Sequence, residues 1–147
     1  MLDEARRVLG PDAEHVTFCE GYIDDVPEGP FDGAICLLTL HFLDAAERTR
    51  TGRELRRRLK PGAPFIAAHF SFPQDEGKRA LWLSRHGAFG FQSGADREQV
   101  EKMCAALDAH LPILTPERDE AILREAGFTD VALFYAAFAW RGWVAHA

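Results

Sequence analysis

An α/β fold is what this sequence predicts, and three features predict it. An almost continuous apolar run, FDGAICLLTLHFL from Phe31 to Leu43, leads into a helical stretch that ends at Leu59. A second apolar run, from Pro64 to Phe70, follows that helix. A strand, a crossover helix and a strand in that order make one parallel βαβ unit, because parallel strands need a long connection. The chain then closes on two strand-like runs, Asp130 to Phe138 and Arg141 to His146, joined tightly enough for an antiparallel hairpin.

The elements follow in order. Leu2, Ala5, Val8 and Leu9 share one helical face, and Gly10 with Pro11 stops that helix. HVTFCEG, His15 to Gly21, has the alternation and β-branched content of a strand. The segment from Tyr22 to Pro30 carries two prolines and an acidic cluster, too broken for a crossover helix. The run through Leu40 is apolar on both faces, as a central strand of a parallel sheet would be. Asp44 caps the next helix with Glu47 three residues on, Ala45, Leu55 and Leu59 give it an apolar stripe, and Lys60, Pro61 and Gly62 end it.

From Gln74 to Leu111 the pattern is helical, with Leu81, Trp82, Val100, Met103, Cys104 and Leu107 at helical spacing. Between those helices HGAFGFQSGA, with three glycines and two phenylalanines, reads as a flexible aromatic loop. Thr115 caps a last helix that begins at Pro116 and that Gly127 terminates.

The length of 147 residues suits one domain able to bury a core, 1–147, with 74–111 as a helical insertion within it. A net charge of −6 opposes binding to nucleic acid or to an anionic membrane and favours a neutral or cationic small molecule. Three widely spaced cysteines, Cys19, Cys36 and Cys104, suit a reducing compartment, so a cytoplasmic protein is expected. The apolar runs fall short of the roughly 18 residues of a membrane span, and no targeting segment is expected. The six histidines show neither HExxH nor paired-cysteine spacing, so no metal is expected. Arg53, Arg56, Arg57, Arg58 and Lys60 read as a solvated helix face, Lys60 favouring the helix carboxyl end.

Three segments, EGYIDDVPEGPFDGAICLLTLHFL, LRRRLKPGAPFIAAHFSFP and LREAGFTDVALFYAAFAWRGWVAHA, together resemble the later motifs of small class I S-adenosylmethionine-dependent methyltransferases. Their order and spacing carry the resemblance more than any one of them. It implies a Rossmann-like methyltransferase sheet of strand order 3-2-1-4-5-7-6 with the seventh strand antiparallel. This chain would hold an incomplete version lacking the first two strands, with the family's glycine-rich turn and acidic ribose ligand preceding Met1. An internal or misassigned start would account for that, and Met1 would then fall in the helix after the second strand.

The resemblance also implies S-adenosylmethionine as cofactor and methyl transfer to a small-molecule acceptor. Gly21, Tyr22, Ile23 and Asp24 would border the adenine, with Tyr22 where the family commonly has an acid. Leu37, Leu38, Thr39 and Phe42, at the carboxyl end of the expected central strand, would border the methionine part and the substrate, where open α/β sheets take ligands. His41 is either a general base or a cap on the strand or next helix, since its ordinary pKa lies near neutrality. His69 either faces the same crevice or is a packed, hydrogen-bonded histidine. Trp82, Phe89, Phe91 and Tyr135 are the candidate substrate contacts. Trp82, at helical spacing, is more often a core residue, and Phe89 and Phe91 read as parts of a movable lid. Phe134, Trp140 and Trp143 should fill the core.

Without the two strands, the expected central strand would present an unpaired apolar edge, which readily recruits another strand. A homodimer or strand-swapped oligomer is therefore expected, or a rearrangement of HVTFCEG onto that edge. The alternative function is a noncatalytic methyltransferase-fold module acting in oligomerisation or binding. A nicotinamide oxidoreductase would need GxGxxG before a helix, and the sequence has no such run.

Overall fold

The computed structural model describes residues 2–147; Met1, expected in the first helix, lies outside the described residues. Helix α1 (Leu2–Leu9) runs into a 3-10 turn at Gly10–His15, and a second 3-10 turn spans Ile23–Asp25. Strand β1 (Ala34–Leu37) then leads through a 3-10 turn at Leu40–Phe42 into α2 (Ala45–Arg57) and β2 (Pro64–Phe70). Helices α3 (Lys78–Gln92), α4 (Arg97–His110) and α5 (Pro116–Glu125) follow, and β3 (Thr129–Ala137) and β4 (Trp140–His146) close the chain.

The sheet order is β1-β2-β4-β3. β1 runs parallel to β2, from Ala34↔Phe65 to Leu37↔Ala68, and β4 is antiparallel to both neighbours. The expected capping box forms: Glu47 N donates to Asp44 Oδ1 at 2.9 Å and Asp44 N to Glu47 Oε2 at 3.3 Å. Thr115 caps α5 by accepting from Arg118 N at 3.2 Å. One core cluster joins Leu40, Leu59, Phe65, Ala67, Leu123, Ala126, Phe128 and Trp143, so α2 and α5 cover the sheet centre. A second joins Phe70, Phe72, Leu83, Ile113 and Ala139, with Trp82, Leu107 and Trp140 against it, and seats the helical pair at the carboxyl end of β2.

Several expectations change. HVTFCEG is extended but unpaired: no ladder includes residues 16–21, and β1 keeps its free edge. A strand needs a partner row of donors and acceptors, and β2 and β4 already have theirs on both sides. FDGAICLLTLHFL contributes four strand residues at the sheet edge, not a central strand buried on both faces. Ile35 is 67% and Leu37 54% exposed, because the core packs on the Ala34 and Cys36 face of β1 and leaves the alternate side chains on the other face uncovered.

HGAFGFQ is helix rather than loop, and the turn is confined to residues 93–96. Its glycines serve packing: a Cβ on Gly87 would lie 3.1 Å from Cys104 Sγ, and one on Gly90 3.4 Å from Val100 Cγ2, both on α4. Arg58 leaves the solvated face and is buried, its Nη1 donating to Glu54 Oε2 at 2.5 Å. Trp143 is fully buried as expected, whereas Phe134, on the outermost strand, is exposed.

Candidate functional site

The site is built where β2 outruns β1. Leu38 N donates to Ala68 O at 2.8 Å as the last rung between the two strands. Leu38 then takes φ +59°, a left-handed conformation uncommon for a leucine, and throws the chain off the sheet. Thr39 Oγ1 donates back to Leu37 O at 3.0 Å and the Leu40–Phe42 turn follows. Leu37, Leu38 and Phe42 form an apolar ledge, each more than half exposed, at the carboxyl ends of the parallel strands.

Beyond the last rung, Phe70 N points toward β1 and finds no strand there. His41 takes that place: its Nδ1 accepts from Phe70 N at 3.4 Å. The ring is buried, with centroids 4.5 Å from Phe42, 5.1 Å from Phe70, 5.9 Å from Trp140 and 6.5 Å from His69. Phe70 and Trp140 stack at 3.8 Å, and His86 from α3 meets the edge of Phe70 at 5.1 Å. Burial pushes the His41 pKa down to about 4, with the neighbouring His69 and Arg48 acting in the same direction. Burial also lowers that of His86. Both rings are neutral at pH 7.

Beneath this layer lies a buried ionic group. Arg48 donates from Nε to Leu43 O at 2.9 Å, from Nη1 to Asp119 Oδ1 at 2.6 Å and from Nη2 to Pro112 O at 2.7 Å. His69 Nε2 lies 3.3 Å from the same Asp119 oxygen, close enough for charge but without a directed hydrogen bond, and both its ring nitrogens are sealed from solvent. Burial works to raise the Asp119 pKa, but His69, Arg48 and Ser71 together hold it below the usual carboxylate value. His69 is thus a packed core histidine facing Asp119.

The expected residues divide into groups. His41, Phe42 and His69 meet at the β2 end as described. Phe89 packs on Phe138 of the β3–β4 turn at 4.5 Å, while Trp82 is half-buried with Arg85 and Arg141 over its ring at 5.1 and 5.0 Å. Phe91 turns away into an α3–α4 groove of about 680 Å³ lined also by Leu83, Val100 and Cys104. Tyr135 stands half-exposed on the edge strand.

Gly21 takes φ +146°, and a Cβ there would meet Asp25 Oδ2, which accepts from Tyr22 N at 2.8 Å. Gly21 also lines a hollow of about 500 Å³ with Leu2, Asp3, Arg6, Cys19 and Glu20. Tyr22 is 79% exposed, Ile23 half-buried, and Asp24 pairs with Arg50 of α2 at 3.0 Å. No hydrogen bond or ring contact among the described residues joins Gly21–Asp24 to the ledge. Nor do three or more His, Cys, Asp or Glu side chains converge there as metal ligands would.

Sequence reasoning missed Arg48, Asp119 and His86. The signal for the first two was the helical period itself: the inward stripe through Ala45 and Leu55 also passes through Arg48 and Gly52, and that of α5 through Asp119, Ile122 and Ala126.

Residues 1–67 match the family model described as a methyltransferase domain. The whole chain superposes on an O-methyltransferase family protein from Burkholderia thailandensis, with a TM-score of 0.68 over 99% of this chain and 40% of that one at 18% identity. The chain has the fold of S-adenosylmethionine-dependent methyltransferases. Human N-acetylserotonin methyltransferase in complex with S-adenosylmethionine shares that fold, with a TM-score of 0.60, 17% identity, and coverage of 90% of this chain and 34% of that one. Carboxy-S-adenosyl-L-methionine synthase of Wolinella succinogenes is 26% identical over 135 residues, 92% of this chain and 56% of the relative. The methyltransferase-fold chain thus spans about half the length of the curated relative it matches. Its sheet order β1-β2-β4-β3 is the 4-5-7-6 portion of the order the resemblance implied.

Proposed function

We propose that this chain takes part in S-adenosylmethionine-dependent methyl transfer to a small-molecule acceptor. The observation that carries the reading is the apolar ledge of Leu37, Leu38 and Phe42 at the carboxyl ends of two parallel strands, the place where open α/β sheets take ligands. The ledge suits the cofactor's methionine chain, with Thr39 beside it, and exposed Tyr22 after Gly21 offers a ring face for adenine, with Ile23 and Asp24 at its border. When bound, the cofactor supplies a methyl carbon already activated by a sulfonium.

The protein's task is then to position the acceptor in line with that carbon and to keep water out. His41 would present the acceptor side from the β2 end, with His69 supporting it from beneath. Phe89 and the half-buried Trp82 bring the 74–111 helical insertion over that side, and Phe91 and Tyr135 bound it more remotely. The whole of 1–147 acts as one domain in this reading. The three cysteines are free, consistent with a cytoplasmic protein. Among the described residues no helix is long and apolar enough to cross a membrane.

The exposed row of Ile35 and Leu37 on an unpaired edge favours a second reading, a noncatalytic module acting in oligomerisation, and in either reading a homodimer or strand-swapped oligomer. Calorimetric titration with S-adenosylhomocysteine separates the two. Micromolar binding with thermal stabilisation supports the methyltransferase, and absence of both leaves the module.

A further inference from the structure

Resting on the methyltransferase reading, we infer that His41 is a fixed-tautomer hydrogen-bond donor on the acceptor side, presenting Nε2–H, and that the acceptor it holds is an oxyanion rather than a group that must first lose a proton. The argument begins with the backbone. Ala68 O already serves Leu38 N, and Phe70, two residues on, turns its N–H to the same side of β2, beyond the end of β1. That donor is buried and would be orphaned without the Nδ1 lone pair of His41 at 3.4 Å. A ring whose Nδ1 accepts must carry its proton on Nε2 when neutral. A second proton on Nδ1 would set two N–H groups against each other, so the backbone contact fixes both tautomer and charge.

The surroundings agree. The groups facing His41 are His69 from β2, Arg48 from α2 and Asp119 from α5, with His86 of α3 across Phe70. The one carboxylate among them is engaged by Arg48 and His69. Among the described residues Nε2 has no partner; the ring is only 3% exposed, yet this nitrogen is not fully sealed, as both nitrogens of His69 are. A donor of this kind has no free lone pair with which to take a proton, which removes the general-base role expected from its ordinary pKa. It matches an oxygen that arrives with its lone pair free: a carboxylate or a phenolate. With such an acceptor the step balances without a base. The oxygen lone pair forms the new O–C bond, the C–S bond breaks with its electron pair returning to sulfur, the sulfonium charge is neutralised, and no proton leaves.

The test uses the full chain and needs no turnover. Two-bond proton–nitrogen correlation spectra of the imidazoles report each ring's tautomer. His41 should show unprotonated Nδ1 and protonated Nε2 from about pH 5 to 8, the range in which an unperturbed histidine changes charge. An Nδ1–H tautomer, or a charged ring at neutral pH, overturns the inference. Benzoate, 4-nitrophenolate and benzylammonium are then titrated separately. A shift of the His41 Nε2–H signal with benzoate or with 4-nitrophenolate supports the oxyanion and tells carboxylate from phenolate. A shift with benzylammonium alone, or with none of the three, overturns it. His41→Phe should weaken the bound oxyanion about tenfold, as loss of a hydrogen bond to a charged group does. Binding of S-adenosylhomocysteine, measured separately by calorimetry, reports on the methyl-donor reading, so its failure is not confused with failure of the tautomer.

Discussion

Arg48 is held at three points, on Leu43, Pro112 and Asp119, which belong to the turn after β1, the segment leaving α4, and α5. Its removal therefore costs more than one ion pair. Arg48→Met leaves the Asp119 carboxylate buried without its cation and should destabilise the fold by about 3–5 kcal/mol in urea unfolding, as breaking a buried pair does. Replacing both, as Arg48→Met with Asp119→Leu, should recover most of that loss, since no charge remains uncompensated. Equal loss in the single and double variants would show that the backbone bonds of Arg48 matter more than the pair.

Acid lability follows from the same layer. His41 titrates near its ordinary 6.5 when unfolded and at about 4 when folded. The unfolded chain therefore binds the extra proton first, and stability falls as pH drops from about 6.5 toward 4. A lowering of that size is worth on the order of 3 kcal/mol, with His86 adding in the same direction. Asp119, held below its ordinary 3.8, adds a second loss only at lower pH, as it falls through the folded pKa. Urea midpoints at pH 7 and pH 4.5 should differ markedly, and His41→Phe should flatten that difference. An unchanged midpoint in the wild-type chain would contradict a neutral buried His41.

At the scale of elements, close approach of helices decides the packing. A Cβ on Gly52 of α2 would lie 2.9 Å from the Cβ of Ala126, which caps the end of α5, a contact between two short, stiff groups that cannot rotate away. Gly52→Ala gains about 1 kcal/mol of helix propensity. Overpacking costs about 1–3 kcal/mol, and with both groups on packed helices it should win, giving net destabilisation in thermal unfolding. Adding Ala126→Gly should restore the contact. A more stable Gly52→Ala would mean that α2 and α5 can slide apart freely.

The same scale shows what the sequence made legible. Caps, helix periods and the closing hairpin are local signals, and Asp44, Thr115 and the run to His146 were read from them correctly. Pairing is not local. HVTFCEG has a strand's composition but joins neither open edge of the sheet, and FDGAICLLTL has a central strand's composition but a neighbour on one side alone. HGAFGFQ misled because glycine denotes flexibility when isolated and close contact when another helix lies against it, and the sequence does not reveal which. In the site, the strand was expected to run through Leu40, but it ends at Leu37 and a 3-10 turn takes Leu40–Phe42, while Arg48 and Asp119 were hidden because charged residues on an inward stripe are rare.

Considered whole, the molecule has a well-filled centre and two apolar flanks. Phe65, Ala67, Trp143 and Ala145 on β2 and β4 are essentially buried, while Ile35 and Leu37 on β1 and Leu133, Phe134 and Tyr135 on β3 stand in solvent. The flanks differ in kind. β3 carries irregular pairing between Thr129 and Tyr135, the bulge-like interruption that blunts an edge, whereas β1 pairs regularly from Ala34 to Leu37 and ends without charge along its row. Association should therefore proceed through β1. Sedimentation of the chain over a tenfold or wider concentration range should show a dimer or larger assembly that dissociates on dilution. Ile35→Lys, which puts a charge on the open row without touching the core, should shift the chain to monomer while leaving its unfolding midpoint nearly unchanged. Leu133→Lys on the interrupted edge should leave the assembly as it was. A wild-type chain that sediments as a single monomer at every concentration would remove the oligomer, and with it the oligomerisation role of a noncatalytic module.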